Sequence, residues 1–143
     1  MHNDIRMLNY IRKTTHNSRL GIQAILDETR NQEFRGTLQV QLQEYDSILQ
    51  EADRLLQERG KAVENRLSPL EYGARLISKL QVQRSTDTTS KIAGVLLQDS
   101  TKGMVKSMQN IRSMGILDPK ISSLSSRLLQ CEQANIDRMK QYL

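Results

Sequence analysis

The chain of 143 residues contains no tryptophan, one phenylalanine and one cysteine. With so few aromatic side chains, its core must be built from Leu, Ile, Val, Met and Ala. This favours packed helices over a β-sandwich or barrel, because strands are richer in aromatic and β-branched residues. The single cysteine, Cys131, cannot form an intramolecular disulfide, which is compatible with a reducing compartment. We interpret Cys131 as a small buried side chain.

Long apolar runs are also missing. The N-terminal stretch MHNDIRMLNYIRK has no apolar segment of the length that a secretory signal needs. Elsewhere, polar residues interrupt every apolar run well before it reaches the length of a membrane span. We therefore expect a single cytoplasmic domain, residues 1–143, with no membrane partner.

No run of like charge stands out, although the net charge is +5. Lysine and arginine residues are scattered singly along the chain. Nucleic-acid binding normally requires a concentrated basic stripe, often with stacking aromatic side chains. We therefore expect no nucleic-acid partner and interpret the charges as solvated helix faces.

Four long segments instead show apolar residues at three- and four-residue spacing, the pattern of amphipathic helices. Capping signals help to bound them: Asn31 as a left-handed cap, Gly60 after the second segment, and Asp118-Pro119 before the last. The predicted long helices cover residues 4–29, 32–59, 88–114 and 119–142. Short links join the first to the second and the third to the fourth, which predicts two antiparallel hairpins.

The connection between the two hairpins is long. Within it, Ser68-Pro69-Leu70-Glu71 combines a capping box with a first-turn proline, which predicts a short helix over residues 68–82. The predicted fold class is therefore all-α, a four-helix bundle whose second and third helices are joined by a long crossover that contains an extra short helix.

The middle of this bundle is more polar than the layers on either side. Aligning the helices by their midpoints places Glu44 and Glu132 at matching positions of the second and fourth helices. The same layer receives polar residues from the other two helices: Thr15, Ser18, and Ser100 or Thr101. Glu44 and Glu132 are the candidate site residues of the chain, as weak candidates for a metal site.

With this connectivity and these two glutamates, the chain resembles the ferritin-like superfamily, and specifically small ferritin-like proteins of Gram-positive bacteria related to spore-coat-type bundles. The resemblance covers nearly the whole chain. Metal-binding members carry Glu on two helices and Glu-x-x-His on the other two. Here Ser47 and Asn135 occupy the histidine positions, and the first and third helices offer Asn17, Ser18, Gln98 or Asp99. The resemblance therefore implies a bundle that lacks the di-metal ligands.

Two interpretations of Glu44 and Glu132 follow. In the simpler one, their methylene groups pack on a helix flank and their carboxylates lie in solvent, because a buried unpaired carboxylate is costly and few cationic partners are evident. In the other, they form a weak hard-cation site or a buried polar network that fixes helix register. The isolated His2 and His16 are interpreted as surface residues, and Met104, Met108 and Met114 as core filler.

No catalytic constellation and no cofactor motif appears in the sequence. The leading functional hypothesis is a non-enzymatic helical bundle that acts through self-association or protein partners. Apolar residues left over from the core stripes could supply the contact surface: Leu20, Val40, Val63, Val82 and Val105. The alternatives are a metal-binding oxidase or storage protein, and an export or assembly chaperone with an apolar groove that the helix over residues 68–82 covers.

Overall fold

A computed structural model describes residues 2–61 and 88–143 of the chain. These residues form four α-helices: α1 (His2–Leu26), α2 (Gln32–Glu58), α3 (Thr88–Met114) and α4 (Pro119–Lys140). The predicted all-helical class and the positions of the four long helices are confirmed. The predicted helix over residues 68–82 lies outside the described residues. None of the helices within the described ranges is long and apolar enough to cross a membrane.

The turn between α1 and α2 differs from its prediction. The first helix ends at Leu26 rather than residue 29, because side chains replace helical hydrogen bonds there. The hydroxyl of Thr29 donates to the carbonyl of Ile25 at 2.8 Å, and the guanidinium of Arg35 donates to the carbonyls of Leu26 and Thr29. Asn31 has an extended backbone (φ −67°) and is the N-cap of α2, not a left-handed cap.

The capping predictions at Gly60 and at Asp118-Pro119 are confirmed. Gly60 and Gly115 follow α2 and α3 with φ of 69° and 71°, the left-handed conformation that glycine adopts without strain. Asp118 caps α4, where its carboxylate accepts from the backbone N–H of Lys120 at 2.8 Å, and Pro119 occupies the first turn. The last helix ends at Lys140, two residues before the predicted end.

Contacts between helix ends fix the directions of the helices. The amide of Asn3, at the start of α1, donates to the carbonyl of Met114, at the end of α3, at 2.9 Å. The backbone N–H of Asp118, just before α4, donates to Asp4 at 3.0 Å. Arg59, just after α2, forms a 3.2 Å ion pair with Asp118. The starts of α1 and α4 and the ends of α2 and α3 therefore share one end of the bundle.

It follows that α2 and α3 run in the same direction, and that residues 62–87 connect opposite ends of the bundle. The two hairpins pack face to face around one apolar core. Its largest fully buried side chains include Phe34, Leu38, Leu55, Ile121 and Leu128. The polar residues near the middle of each helix lie on the same inner faces as the apolar core residues. The packing of the amphipathic helices therefore sets their positions.

Candidate functional site

Glu132 lies on the inner face of α4 and is almost completely buried, with 2% of the residue exposed. Its Oε1 accepts a hydrogen bond from the hydroxyl of Tyr45 at 2.9 Å, and Ser100 hydrogen-bonds the same carboxylate. The interpretation that placed this carboxylate in solvent is therefore wrong for Glu132. That interpretation assumed that a buried carboxylate would lack hydrogen-bond partners, which is costly. The hydroxyl groups of Tyr45 and Ser100 reduce that cost.

The hydroxyl of Tyr45 is the centre of a hydrogen-bonded chain. It accepts from the amide nitrogen of Asn135 at 2.9 Å while it donates to Glu132. Ser18 hydrogen-bonds the same hydroxyl. Three helices thus meet at one phenolic oxygen, since Tyr45 belongs to α2, Asn135 to α4 and Ser18 to α1. The network orients Glu132 and fixes the register of these helices against one another.

The environment of Glu132 disfavours its charged form. Burial, with a smaller contribution from the nearby Asp99, raises the pKa of the carboxyl group to about 7, against the lowering effect of the hydrogen bonds from Tyr45 and Ser100. No lysine, arginine or histidine within the described residues forms an ion pair with Glu132. Near neutral pH, Glu132 is therefore divided between its neutral and ionised forms.

Tyr45 does not share this behaviour. Burial, followed by the nearby charges of Glu132 and Cys131, raises the pKa of its phenol well above the ordinary range. The phenol therefore stays protonated and remains a hydrogen-bond donor to Glu132 at any pH at which the protein is studied.

Glu132 lines a cavity of about 230 Å³ between α1 and α3. The inner end is formed by buried residues of α2, α3 and α4, and the outer rim by exposed lysines of α3. The residues that line the cavity include Gln41, Tyr45, Asp99, Ser100, Lys102, Gly103, Lys106 and Glu132. Asn17 and Ser18 also line it, so α1 contributes polar groups, as the alignment of helix midpoints predicted.

Gln41 is a buried polar group at the inner end of the cavity. The residue is 2% exposed, and its Nε2 has no hydrogen-bond partner among the described residues. A buried amide donor without a partner costs about 1–3 kcal/mol. Such groups are few in folded proteins, and this one belongs to a residue that lines the cavity.

Gly103 forms the wall opposite the carboxylate. A Cβ atom at this position would lie 3.8 Å from the nearest oxygen of Glu132, which is ordinary van der Waals contact. The absence of a side chain therefore leaves open the space directly in front of the carboxylate. A glycine inside a helix costs stability relative to alanine, so its presence here is consistent with a need for that space.

Glu44 lies elsewhere. Its two oxygens accept from the guanidinium of Arg138 at 2.8 and 3.2 Å, and the thiol of Cys131 donates to it at 3.3 Å. Partial burial alone would raise the pKa of Glu44, but these hydrogen bonds hold it below its ordinary value. The sequence interpretation missed this cationic partner because Arg138 is 94 residues away in the chain. Glu44 does not line the cavity that Glu132 lines.

The residues at the expected histidine positions have different environments. Asn135 belongs to the buried network, whereas Ser47 is exposed and accepts from Arg127 at 2.9 Å. His16 is partly buried, and burial, followed by Arg12 and Arg19, lowers its pKa. Cys131 is buried as expected, and burial, followed by Glu44, raises the pKa of its thiol.

The donor set does not fit a di-metal centre. Within residues 2–61 and 88–143, no group of three or more His, Cys, Asp or Glu side chains is arranged to hold a metal ion. Glu44 is engaged by Arg138, and Glu132 carries hydroxyl partners rather than imidazoles. Glu132 and Asp99 both line the cavity, and two carboxylates alone are fewer ligands than a di-metal centre requires.

Three residues of this site were not singled out by the sequence. Tyr45 was assigned to the apolar stripe of α2, although a tyrosine near the middle of a bundle carries a hydroxyl that requires a partner when buried. Gln41 lies one helical turn before Tyr45 and could have been found by the same spacing. Gly103 carries no signal in the sequence beyond being a glycine inside a helix.

Comparisons with protein-family models, with curated proteins and with solved structures give no match to this chain.

Proposed function

We propose that the protein is a non-enzymatic helical bundle that acts by binding, and that its interior cavity takes a small organic cation on Glu132. The observation that supports this proposal is a buried carboxylate that faces open space and has no cationic partner among the described residues. An ammonium group in front of Gly103 would supply that partner.

The free energy for binding comes from the burial of Glu132. In the empty cavity the ionised carboxylate is disfavoured, as its raised pKa shows. A cation at hydrogen-bond distance favours the ionised form again, and it does so in a site of low effective dielectric constant, where the attraction is stronger than in water. Binding and ionisation of Glu132 are therefore coupled.

We propose in addition that this bundle is a ferritin-like protein of bacterial type in which the metal centre has been replaced by a hydrogen-bonded network. The parallel directions of α2 and α3 and the pairing of α1 with α2 and of α3 with α4 support this assignment. The chain would then keep the polar centre of the architecture and use it for a ligand other than a metal.

The experiment is a calorimetric titration with ethylamine, propylamine and isobutylamine at about pH 8, where these amines are still charged. We expect at least one of them to bind to the native protein and to lose about tenfold or more in affinity with the variant Glu132→Gln. The control is Glu44→Gln, which removes the other candidate carboxylate and should leave the affinity unchanged. Failure of all three amines to bind, or equal binding to Glu132→Gln, would contradict the proposal.

Self-association is a second candidate function, favoured by exposed apolar side chains on α3. Val105 is 46% and Met108 is 45% exposed, which corrects the interpretation of Met108 as core filler. Thr101, Val105, Met108 and Arg112 follow a three-four spacing, a seam that a second copy can match under two-fold symmetry. Val40 is also exposed, at 44%. Of the other leftover residues, Leu20 is partly buried, and Val63 and Val82 lie outside the described ranges.

Varying the ionic strength tests whether a second copy of the chain binds to this seam. Lys102 and Lys106 flank the seam and Arg112 lies at its end, so two copies repel each other, and salt should strengthen their association by screening. Sedimentation at rising salt should show a dimer that Met108→Lys abolishes. A monomer at every salt concentration would overturn this candidate. The chaperone alternative depends on residues 68–82, which lie outside the described ranges.

A further inference from the structure

The cation proposed above cannot by itself satisfy the cavity. An ammonium group has donors only, and the Nε2 of Gln41 also needs an acceptor. A ligand that carries only a positive charge would therefore leave this buried donor unpaired, at a cost of about 1–3 kcal/mol. The ligand that fits best carries an oxygen acceptor in addition to its ammonium group.

The charges around the cavity indicate which acceptor this is. Glu132 and Asp99 line the cavity with two negative charges when both are ionised, and Lys102 and Lys106 line it with two positive charges. The lining is then neutral in sum. A ligand that is itself neutral but carries both charges leaves this balance unchanged, whereas a simple cation or a simple anion disturbs it.

The positions of these groups separate the two signs of charge. Glu132 belongs to the buried inner end, while Lys102 and Lys106 are exposed at the rim on α3. Their long side chains can reach toward the cavity while keeping their stems on the helix surface. Ile22 and Leu96 also line the cavity, and their side chains supply apolar surface for a hydrocarbon portion.

Resting on the proposed function, we propose that the ligand is a small zwitterionic amino acid. Its ammonium group binds the carboxylate of Glu132, and its carboxylate accepts from the amide of Gln41 within the positive field of Lys102 and Lys106 at the rim. The hydroxyl groups of Tyr45 and Ser100 hold Glu132 in position for this contact. No covalent step is involved.

The test uses matched pairs of probes that differ only in the carboxylate: alanine with ethylamine, valine with isobutylamine, and 4-aminobutyrate with propylamine. Calorimetry at about pH 8 should show at least one zwitterion that binds about tenfold more tightly than its amine, because the second charge gains partners. In the double variant Lys102→Ala/Lys106→Ala and in Gln41→Leu, that zwitterion should bind no better than its amine.

Two controls keep the result interpretable. The double variant Lys120→Ala/Lys140→Ala removes two exposed lysines of α4 that do not line the cavity, and it should leave both affinities unchanged. Gln41 is buried, so circular dichroism must show that Gln41→Leu is folded. The lysine variant alters only exposed side chains, and it still tests the inference if Gln41→Leu fails to fold.

The outcomes separate this inference from the proposed function. Equal binding of amines and zwitterions would overturn the inference and leave the proposed cation site standing. A zwitterion can also bind more tightly than its amine without being weakened by the lysine variant or by a folded Gln41→Leu. That result would overturn the inference as well. If no probe of either kind binds, both proposals fail.

Discussion

The hydroxyl of Tyr45 on α2 donates to Oε1 of Glu132 on α4 across 2.9 Å, in the interior of the bundle. This contact joins the two hairpins, since Tyr45 and Glu132 lie 87 residues apart in the chain. It also sets the chemistry of the centre, because the donor lowers the cost of burying the carboxylate without supplying a positive charge.

The first prediction concerns stability and pH. Burial raises the pKa of Glu132 from 4.5 to about 7, so the folded protein binds more protons than the unfolded chain between these values. Stability is therefore lost as pH rises through this range, by about 3 kcal/mol in total. Glu132→Gln cannot ionise and should lack this contribution. Denaturant unfolding of both proteins at several pH values measures it, and parallel pH profiles would contradict the assignment.

Removal of the tyrosine hydroxyl is the second prediction. Tyr45→Phe removes one buried hydrogen-bond partner from Glu132 and one from Asn135, and it should reduce the free energy of unfolding by about 1–3 kcal/mol. The pKa of Glu132 should also rise, because the lost hydrogen bond favoured its ionised form. Carbon-detected NMR titration of the Glu132 carboxyl group measures this rise. Tyr142→Phe, which removes a hydroxyl bonded to Thr37 at 2.9 Å, is the control and should leave that pKa unchanged.

The third prediction separates stability from binding. Gly103→Ala places a methyl group 3.8 Å from the carboxylate of Glu132 without a clash. It should stabilise α3 by up to about 1 kcal/mol while weakening amine binding, because the methyl group occupies the space in front of the carboxylate. Gly94→Ala is the matched control on the same helix, where the new methyl group meets only the side chain of Leu143 at 3.9 Å. It should stabilise the helix and preserve binding; equal effects of the two variants on binding would exclude the proposed position of the ligand.

Cys131 gives the fourth prediction. Its thiol is buried, and burial, together with Glu44, raises its pKa well above the ordinary value. The reactive thiolate is therefore scarce in the folded protein. Alkylation by iodoacetamide at about pH 8 should be slower than in the denatured chain by about two orders of magnitude. Labelling at the denatured rate would show that Cys131 is accessible, contrary to its placement beside Glu44.

The ion pair between Glu44 and Arg138 gives the fifth prediction. Both side chains are about one-third exposed, so solvent screens their attraction. A double-mutant cycle with Glu44→Gln and Arg138→Gln should yield a coupling energy of only about 0.5–1 kcal/mol. A coupling of several kcal/mol would indicate that Glu44 has a structural role comparable to that of Glu132.

The sequence predicted the four long helices because apolar spacing and caps are local signals. Asp118-Pro119 and Gly60 are positioned by their own backbone preferences, and both have the predicted role. Asn31 was assigned to the wrong side of its turn, since asparagine suits both a left-handed cap and an N-cap. The N-cap role is shown by the side chain of Asn31, which accepts from the backbone N–H of Phe34 at 3.0 Å.

The site was predictable only in part. The midpoint alignment brought Ser18, Ser100 and Glu132 together correctly, but it also brought Glu44 to the centre, where Tyr45 is found instead. Adjacent residues on a helix point about 100° apart, so an error of one position in the phase of α2 exchanges them. The pairing of Glu44 with Arg138 depends on how α2 packs against α4, which no local pattern encodes.

The pH dependence of amine binding tests the central claim most directly. The titratable groups that face Glu132 from the neighbouring helices are Tyr10 on α1, Tyr45 on α2 and Asp99, Lys102 and Lys106 on α3, with Cys131 on its own helix. If a bound ammonium group requires the ionised carboxylate, the affinity for isobutylamine should fall as the pH drops below about 7. The loss should approach about tenfold for each pH unit. In Glu132→Gln this dependence should disappear. An affinity that is the same at about pH 5.5 and about pH 8 in the native protein would contradict the account.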